Sequence, residues 1–165
     1  MQILRRPIAI LRILVGILFV VKSVMKFTNE DFLYGGLMHT IERAGRAFPF
    51  YEGVLSNYVD AHQAFFTYAI PIGELLVGLS LVLGIFVSLF TAAGAFMIVN
   101  YILATDYGST ERIVEHLAMV ALLVTMGWMG AGLTWGLDRW LVRRSKSTLV
   151  LLPLRRSVPT FQKSS

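Results

Sequence analysis

The sequence has no cysteine, which excludes disulfide bonds, thiol relays, and iron–sulfur or zinc centres bound through cysteine. Charged residues are also scarce, at 15% of the 165 residues, and only ten of them are Asp or Glu. His39, His62 and His116 show no metal-ligand spacing such as His-Glu-x-x-His. His116 has no obvious mate at matched depth for a haem. We therefore expect neither a metal nor a haem.

Apolar residues are abundant instead, at 56% of the chain against about 45–50% in soluble domains. They concentrate in four runs, each near the ~20 residues needed to cross a ~30 Å hydrocarbon core. The first run is not a signal peptide, because no small-x-small cleavage site follows it and the chain continues into Lys22 and Lys26. The sequence predicts an all-α, four-helix transmembrane bundle with spans at about 8–27, 63–87, 90–104 and 112–129.

We interpret residues 1–140 as a single membrane domain and residues 141–165 as a basic cytoplasmic tail. The long loop 28–62 is amphipathic in its first half, with Leu33, Leu37 and Ile41 at helical spacing, and rich in aromatic residues in its second half. Aromatic residues of this kind favour the membrane–water interface. Two interpretations stand side by side: short interfacial helices lying on the membrane, or a lid over a pocket.

Charge is distributed unevenly between the loops, although the whole chain carries +5. Lysine and arginine cluster near the two termini, whereas acidic residues cluster in the 28–62 and 104–112 loops. Basic flanks stay cytoplasmic, which predicts a multi-pass protein of a cytoplasmic (inner) membrane with both termini inside. The basic tail is expected to lie against anionic lipid head groups of the bilayer rather than on nucleic acid.

Glu74 is a carboxylate within a long apolar run, and an ionisable residue inside a membrane is a functional-site hypothesis by default. At about 1.5 Å rise per residue, Glu74 lies about 15–18 Å below the outer surface. The same estimate of depth places one or more polar residues of every helix in the outer half of the membrane. The resulting cluster is Lys22, Glu74, Asn100, Glu115 and His116. Its predicted ion pair joins Lys22 to Glu74 or to Glu115.

This cluster has two interpretations. It is either a buried polar lock that fixes helix packing, or the polar floor of a pocket for a small redox molecule such as a quinone. A quinone needs an apolar slot with a proton donor at each carbonyl, and lysine, histidine and glutamate at one depth provide such donors.

Two segments carry a family resemblance. The first is Gly73-Glu74-Leu-Leu-Val-Gly78-Leu-Ser-Leu-Val-Leu-Gly84, and the second is Gly130-Ala-Gly132-Leu-Thr-Trp-Gly-Leu-Asp138. Together they resemble the DoxX family of small four-helix membrane proteins, and its DoxD-like branch in particular. The chain departs from the family pattern at Ser88 and Leu133, where arginine is common.

The resemblance implies a membrane subunit of a thiosulfate:quinone oxidoreductase-like complex, working with a second redox subunit. The alternative is a non-catalytic membrane scaffold or assembly factor for a partner protein. A small-solute carrier is less supported, because no inverted repeat with broken helices is evident. The residues single out neither an electron donor nor an oligomeric state.

Overall fold

A computed structural model describes residues 5–144, and helices account for nearly all of that stretch. The helices are α1 (Arg5–Thr28), α2 (Glu30–Tyr34), α3 (Leu37–Ala44), α4 (Pro49–Val54), α5 (Gln63–Leu83), α6 (Val87–Thr105), α7 (Thr110–Trp128) and α8 (Asp138–Arg144). The predicted all-α class is confirmed. The predicted basic tail, residues 141–165, begins within α8, and its part from residue 145 onward lies outside the described residues.

Three helices are long and apolar enough to cross a membrane: Arg6–Thr28, the continuous helical stretch Pro49–Leu83, and Val87–Thr105. The fourth predicted span, 112–129, is the 19-residue helix α7. It does not belong to this set, because Glu111, Arg112 and Glu115 place three charges in its first two turns. Length and composition therefore identify three spans within residues 5–144.

The loop between the first two spans is more helical than its sequence suggested. The amphipathic stretch divides at Gly35 and Gly36 into α2 and α3, and the Asn29 side chain caps α2 by accepting from the Phe32 amide at 3.1 Å. The aromatic-rich stretch does not form a separate short helix. It begins as α4 and continues through a wide π-helical turn at Leu55–Val59 and a 3₁₀ turn at Asp60–His62 into α5.

The corner between α5 and α6 also differs from the predicted boundaries at 87 and 90. Helix α5 ends at Leu83 because Gly84 adopts a left-handed conformation with φ of 68°, a common way to end a helix. Helix α6 then begins at Val87 rather than at Phe90. The carboxylate of Asp138 accepts from the Phe86 and Val87 amides at 2.7 and 3.1 Å, which fixes that earlier start.

Helices α1 and α5 pack antiparallel at very short range. A Cβ on Gly78 would lie 2.7 Å from Val20 Cγ2 and 2.8 Å from the Gly16 carbonyl oxygen, so only glycine allows this approach. Helices α6 and α7 form a second antiparallel pair, in which Gly127 faces Thr91. The core between the two pairs is apolar and includes Val15, Phe19, Val77, Leu81 and Leu123.

Candidate functional site

The Glu74 carboxylate lies within the bundle and is 1% exposed. Its Oε1 accepts from Lys26 Nζ at 2.6 Å and from the Tyr101 hydroxyl at 2.8 Å. Lys26 Nζ also lies 5.0 Å from the centre of the Tyr101 ring, within reach of a cation–π contact. Glu74, Lys26 and Tyr101 therefore form one connected polar cluster contributed by α5, α1 and α6.

The predicted ion pair of Lys22 was wrong, because Lys26 takes its place. Side chains in a helix lean toward the N-terminus of that helix. Since α1 and α5 are antiparallel, Lys26 leans back along α1 while Glu74 leans in the opposite direction, and the two groups meet. Lys22 lies one turn earlier and leans away, and it makes no ion pair within 4 Å in residues 5–144.

A pocket of about 460 Å³ opens beside this cluster, under α2, α3 and α4. Its volume is that of a typical small-molecule site, about 300–1,000 Å³. Most of its wall is apolar, and its polar side chains come from α1, α3, α4, α6 and α7. The lining residues used below are Lys26, Tyr101, Asn100, Tyr51, His116, Ala69 and Ala104.

Asn100 links α6, in the wall of the pocket, to α4, which lies over the pocket. Its Oδ1 accepts from the Tyr51 hydroxyl of α4 at 2.5 Å, and its Nδ2 donates to the Phe96 carbonyl at 2.8 Å. Tyr51 is the first residue in the continuous 49–83 helix that reaches a polar group on α6. This bond holds the start of that helix against the pocket.

His116 also lines the pocket, from the second turn of α7. Its Nδ1 lies 2.5 Å from Oδ2 of Asp106, a carboxylate with no exposed surface. Because an ionised carboxylate only accepts, this contact places a proton on Nδ1 and leaves Nε2 for another partner. Arg112 Nε lies 3.8 Å from the other carboxylate oxygen of Asp106.

The segment between α3 and α4 is bonded to this same corner. The Arg46 amide donates to the Thr105 carbonyl at 3.0 Å, the Phe48 amide to Leu103 at 2.9 Å, and the Tyr107 amide to Arg46 at 2.9 Å. Arg112 also donates to the Ala44 carbonyl. We call residues 30–54 the lid. These bonds tie the lid to the junction of α6 and α7, which supports the lid interpretation of the loop.

Of the predicted cluster, the structure brings Asn100 and His116 to the pocket and Glu74 to its edge, behind Lys26 and Tyr101. Lys22 lies on the other side of Glu74, and Glu115 lies exposed on α7. The sequence reasoning missed Lys26, Tyr101, Tyr51 and Asp106. Lys26 shares a helix face with Lys22, and Tyr101 follows Asn100, so both were adjacent to residues already singled out.

A second buried polar cluster lies at the far end of the bundle. Arg12 has no exposed surface, and its guanidinium donates to the carbonyls of Ala131 at 2.9 Å and Trp135 at 3.2 Å. Burial raises the pKa of Asp138, while the amides of Val87 and Phe86 and the charge of Arg12 oppose that rise. This cluster fastens the start of α1 to the segment after α7.

The family-motif residues divide between the two ends. Gly73 and Glu74 lie at the pocket end, and Gly78 lies at the α1–α5 contact. At the far end, a Cβ on Gly84 would meet Arg12 and Gly136, one on Gly132 would meet the Asp138 carboxylate, and Gly130 has φ of 63°. These last residues therefore serve packing rather than a ligand.

The chemistry open to the pocket is hydrogen bonding and proton exchange with an uncharged, largely apolar molecule. Lys26 of α1 is a donor, and His116 of α7 is a proton-exchanging group, whereas the Tyr101 hydroxyl already donates its proton to Glu74. No group of three or more histidine or acidic side chains in residues 5–144 is arranged to hold a metal ion.

Comparison with known proteins gives one match. The sequence model of the DoxX family matches residues 8–106, which is well over half of the chain. Neither the curated proteins nor the solved structures include a match to this chain. The matched region holds α1 to α6, with Glu74, its two partners and nearly all of the pocket. On this match, the chain belongs to the DoxX family.

Proposed function

We propose that this DoxX protein is a membrane subunit of a redox complex, of the DoxD-like, thiosulfate:quinone oxidoreductase type, and that its pocket holds the head group of a quinone. The observation that carries the proposal is the pocket of about 460 Å³ with mostly apolar walls and polar side chains contributed by several helices. Quinones dissolve in the bilayer, so a pocket within a membrane bundle suits them.

The residues present fit a quinone. A quinone takes up two electrons and two protons at carbonyl oxygens on opposite sides of its ring. Lys26 has an N–H beyond those directed at Glu74 and Tyr101, which a ligand oxygen can accept. His116 of α7, oriented by Asp106, offers Nε2 for proton exchange. The wall between the polar groups is mostly apolar.

The electrons come from outside this chain on this proposal. No cysteine is available to bind a redox centre, and the resemblance implies a second redox subunit as the donor. The role of this chain is then to bind the acceptor, orient its oxygens and supply protons. On this proposal the second redox subunit determines the oligomeric state, and no feature of the pocket does.

The membrane arrangement proposed is the predicted four spans in a single domain, 1–140, of a cytoplasmic membrane. Helix α7 is as long as α6, at 19 residues each, and packs antiparallel along it. A helix that runs beside a spanning helix for its full length spans as well. With four spans and basic flanks at both termini, the termini lie in the cytoplasm and the pocket lies in the outer half.

A membrane scaffold or assembly factor is the second candidate. It is favoured by the pairing of buried charges with partners inside the bundle, Lys26 with Glu74 and Arg12 with backbone carbonyls. Such pairing is what a packing lock requires. The pocket has no role in a scaffold, so ligand binding separates the two candidates.

The test is quinone binding to the purified protein in lipid nanodiscs, with a menaquinone or ubiquinone analogue and two matched alanine variants. Ala69 lines the pocket on α5, whereas Ala64 is exposed on the same helix. Ala69→Phe fills the pocket and should abolish saturable binding. Ala64→Phe should bind as the wild type does. Glu74→Gln, which removes the charge that holds Lys26, should weaken binding about tenfold, the effect of ~1.4 kcal/mol.

Saturable binding lost only in Ala69→Phe supports the quinone site. Equal binding by Ala69→Phe and Ala64→Phe places the ligand outside this pocket and contradicts the proposal. No binding by folded wild-type protein contradicts it as well and favours the scaffold.

A further inference from the structure

Glu74 separates two cavities. Lys26 and Tyr101, which both contact its Oε1, line the pocket described above, and Glu74 itself does not. Glu74 lines a second, smaller cavity of about 90 Å³ on the opposite side. The carboxylate is thus the partition between the two spaces, with one oxygen engaged toward the pocket.

The smaller cavity lies where all four long helices meet. Its lining residues are Leu18, Phe19, Lys22, Glu74, Ile98 and Met119. A water molecule occupies about 30 Å³ in the liquid, so the cavity has room for water. A cavity stays dry when its wall is wholly apolar, but this wall includes a carboxylate and an ammonium group.

The Oε2 atom of Glu74 is buried and has no hydrogen-bond partner among the described residues. A buried polar atom without a partner costs about 1–3 kcal/mol, and more when it is charged. Since Lys26 and Tyr101 both bind Oε1, Oε2 is the acceptor left for the smaller cavity. A water molecule in that cavity would satisfy Oε2.

Lys22 is the second charged residue in the wall of the cavity, and it lies at the opening of the cavity. It is exposed, so one side of the cavity is bordered by a residue at the surface of the bundle. The charged and titratable groups around Glu74 are Lys22 and Lys26 on α1, Tyr101 on α6, and Glu115 of α7, one turn from Met119 of the cavity wall. Lys26 and Tyr101 lie on the pocket side of Glu74, so the polar route from the surface through the smaller cavity to Glu74 begins at Lys22.

We propose that the smaller cavity is a hydrated proton inlet to Glu74, with Lys22 at its mouth. The proton movements balance in three steps. First, the Lys26 ammonium gives a proton to the oxygen of the pocket ligand and becomes a neutral amine. Second, water in the smaller cavity, which exchanges protons with solvent, protonates the Glu74 carboxylate at Oε2. Third, the Glu74 carboxyl group rotates and passes this proton to Lys26, which restores the ammonium–carboxylate pair. The first step rests on the proposed function, whereas the hydration of the cavity does not.

Hydration is tested by X-ray radiolytic footprinting of the full chain in nanodiscs, read by mass spectrometry. Met119 lines the cavity, and Met126, two turns further along α7, is buried in the apolar core away from both cavities. Bound water should make Met119 oxidise several-fold faster than Met126. Leu18→Trp, which enlarges a half-exposed residue at the cavity wall, should remove that difference. Leu14→Trp, equally exposed on α1 but away from the cavity, is the matched control and should retain it.

Proton supply is tested on an electrode that delivers the electrons to quinone bound in the same nanodiscs. Leu18→Trp should slow proton-coupled reduction about tenfold, equivalent to ~1.4 kcal/mol on the barrier, while quinone affinity stays that of the wild type. Leu14→Trp should react at the wild-type rate.

The two failures are distinguishable. Equal oxidation of Met119 and Met126 in the wild type means a dry cavity and overturns the inlet, whatever the pocket binds. Equal reduction rates in Leu18→Trp and wild type, with quinone bound in both, overturn the inlet alone. Absence of quinone binding overturns the proposed function, and the footprinting result then stands by itself.

Discussion

The Lys26–Glu74 pair is asymmetric in burial. The Glu74 side chain is 1% exposed and the Lys26 side chain 26% exposed, so the carboxylate depends on the ammonium far more than the reverse. Removing one member of a buried ion pair costs about 3–5 kcal/mol, whereas replacing both with apolar residues is often neutral. Stability measurements on single and double variants therefore reveal whether the pair acts as a lock.

We expect Glu74→Leu to lower the thermal stability of the detergent-solubilised protein strongly, because it leaves Lys26 facing an apolar wall. Adding Lys26→Met should recover most of the loss. The measurement is the temperature at which the protein ceases to elute as a single monodisperse species. Lys22→Met is the control and should change this temperature little, because Lys22 is exposed and makes no ion pair in residues 5–144. A double variant no more stable than Glu74→Leu would contradict the expectation.

Single residues were predicted unevenly from sequence. Glu74 was identified because a lone carboxylate in an apolar run is conspicuous. Its partner was missed by one helical turn, since depth along an axis takes no account of the opposite lean of side chains on antiparallel helices. Arg12 was treated as a basic flank, and its burial depends on carbonyls more than a hundred residues away.

At the scale of elements, the lid is the part of the fold that covers the pocket, because residues of α2, α3 and α4 line it. Its attachment to α6 and α7 consists of backbone hydrogen bonds around Arg46 and Phe48, the Tyr51–Asn100 bond and the Arg112–Ala44 bond. Gly45 lies in this attachment, where a Cβ would come within 2.7 Å of Arg112 Nη1 and would meet the Thr105 carbonyl. The lid is therefore sensitive to a single methyl group at this position.

We expect Gly45→Ala to loosen the lid, because the added methyl group meets the backbone carbonyl of Thr105, which cannot move without moving α6. The measurement is hydrogen–deuterium exchange at the Arg46 and Phe48 amides, which should become faster. Gly53→Ala is the matched control in α4, because the nearest atom to an added Cβ there would be 4.0 Å away. This variant should leave the exchange rate unchanged, or lower it because alanine is favoured over glycine in a helix by about 1 kcal/mol. Equal exchange in both variants would mean that the lid is held by other contacts.

The lengths of the hydrophobic runs predicted the long helices, but they did not predict the residues at which these helices end. Gly84 sits within an unbroken apolar run, so nothing nearby marks the end of α5. Helix α5 ends at the left-handed Gly84, and the start of α6 is fixed by Asp138, which lies beyond α7 in the sequence. The continuous helix from Pro49 was not predicted either, because its π-helical turn at Leu55–Val59 disturbs the 3.6-residue period of the hydrophobic pattern.

At the scale of the whole molecule, the described chain has a polar cluster at each end and an apolar core between them. Arg12 and Asp138 lie at one end, with Arg6 and Arg139 nearby in sequence; Glu52 and Glu111 lie toward the other. This asymmetry of charge gives the proposed bundle a direction in the membrane. Four spans with cytoplasmic termini are the arrangement that leaves the arginine-rich end inside.

The absence of cysteine makes this arrangement directly testable, because any introduced cysteine is the only thiol in the chain. We expect Glu52→Cys and Glu111→Cys to react with a membrane-impermeant maleimide in intact cells, and Arg139→Cys to react only after permeabilisation. All three native side chains are exposed and lie outside the polar clusters, so the substitutions leave the fold intact. Glu111 and Arg139 flank α7, which makes the pair decisive for the fourth span. If both react in intact cells, α7 does not cross the membrane. If the pattern is reversed, α7 crosses in the opposite direction, and the pocket opens toward the cytoplasm.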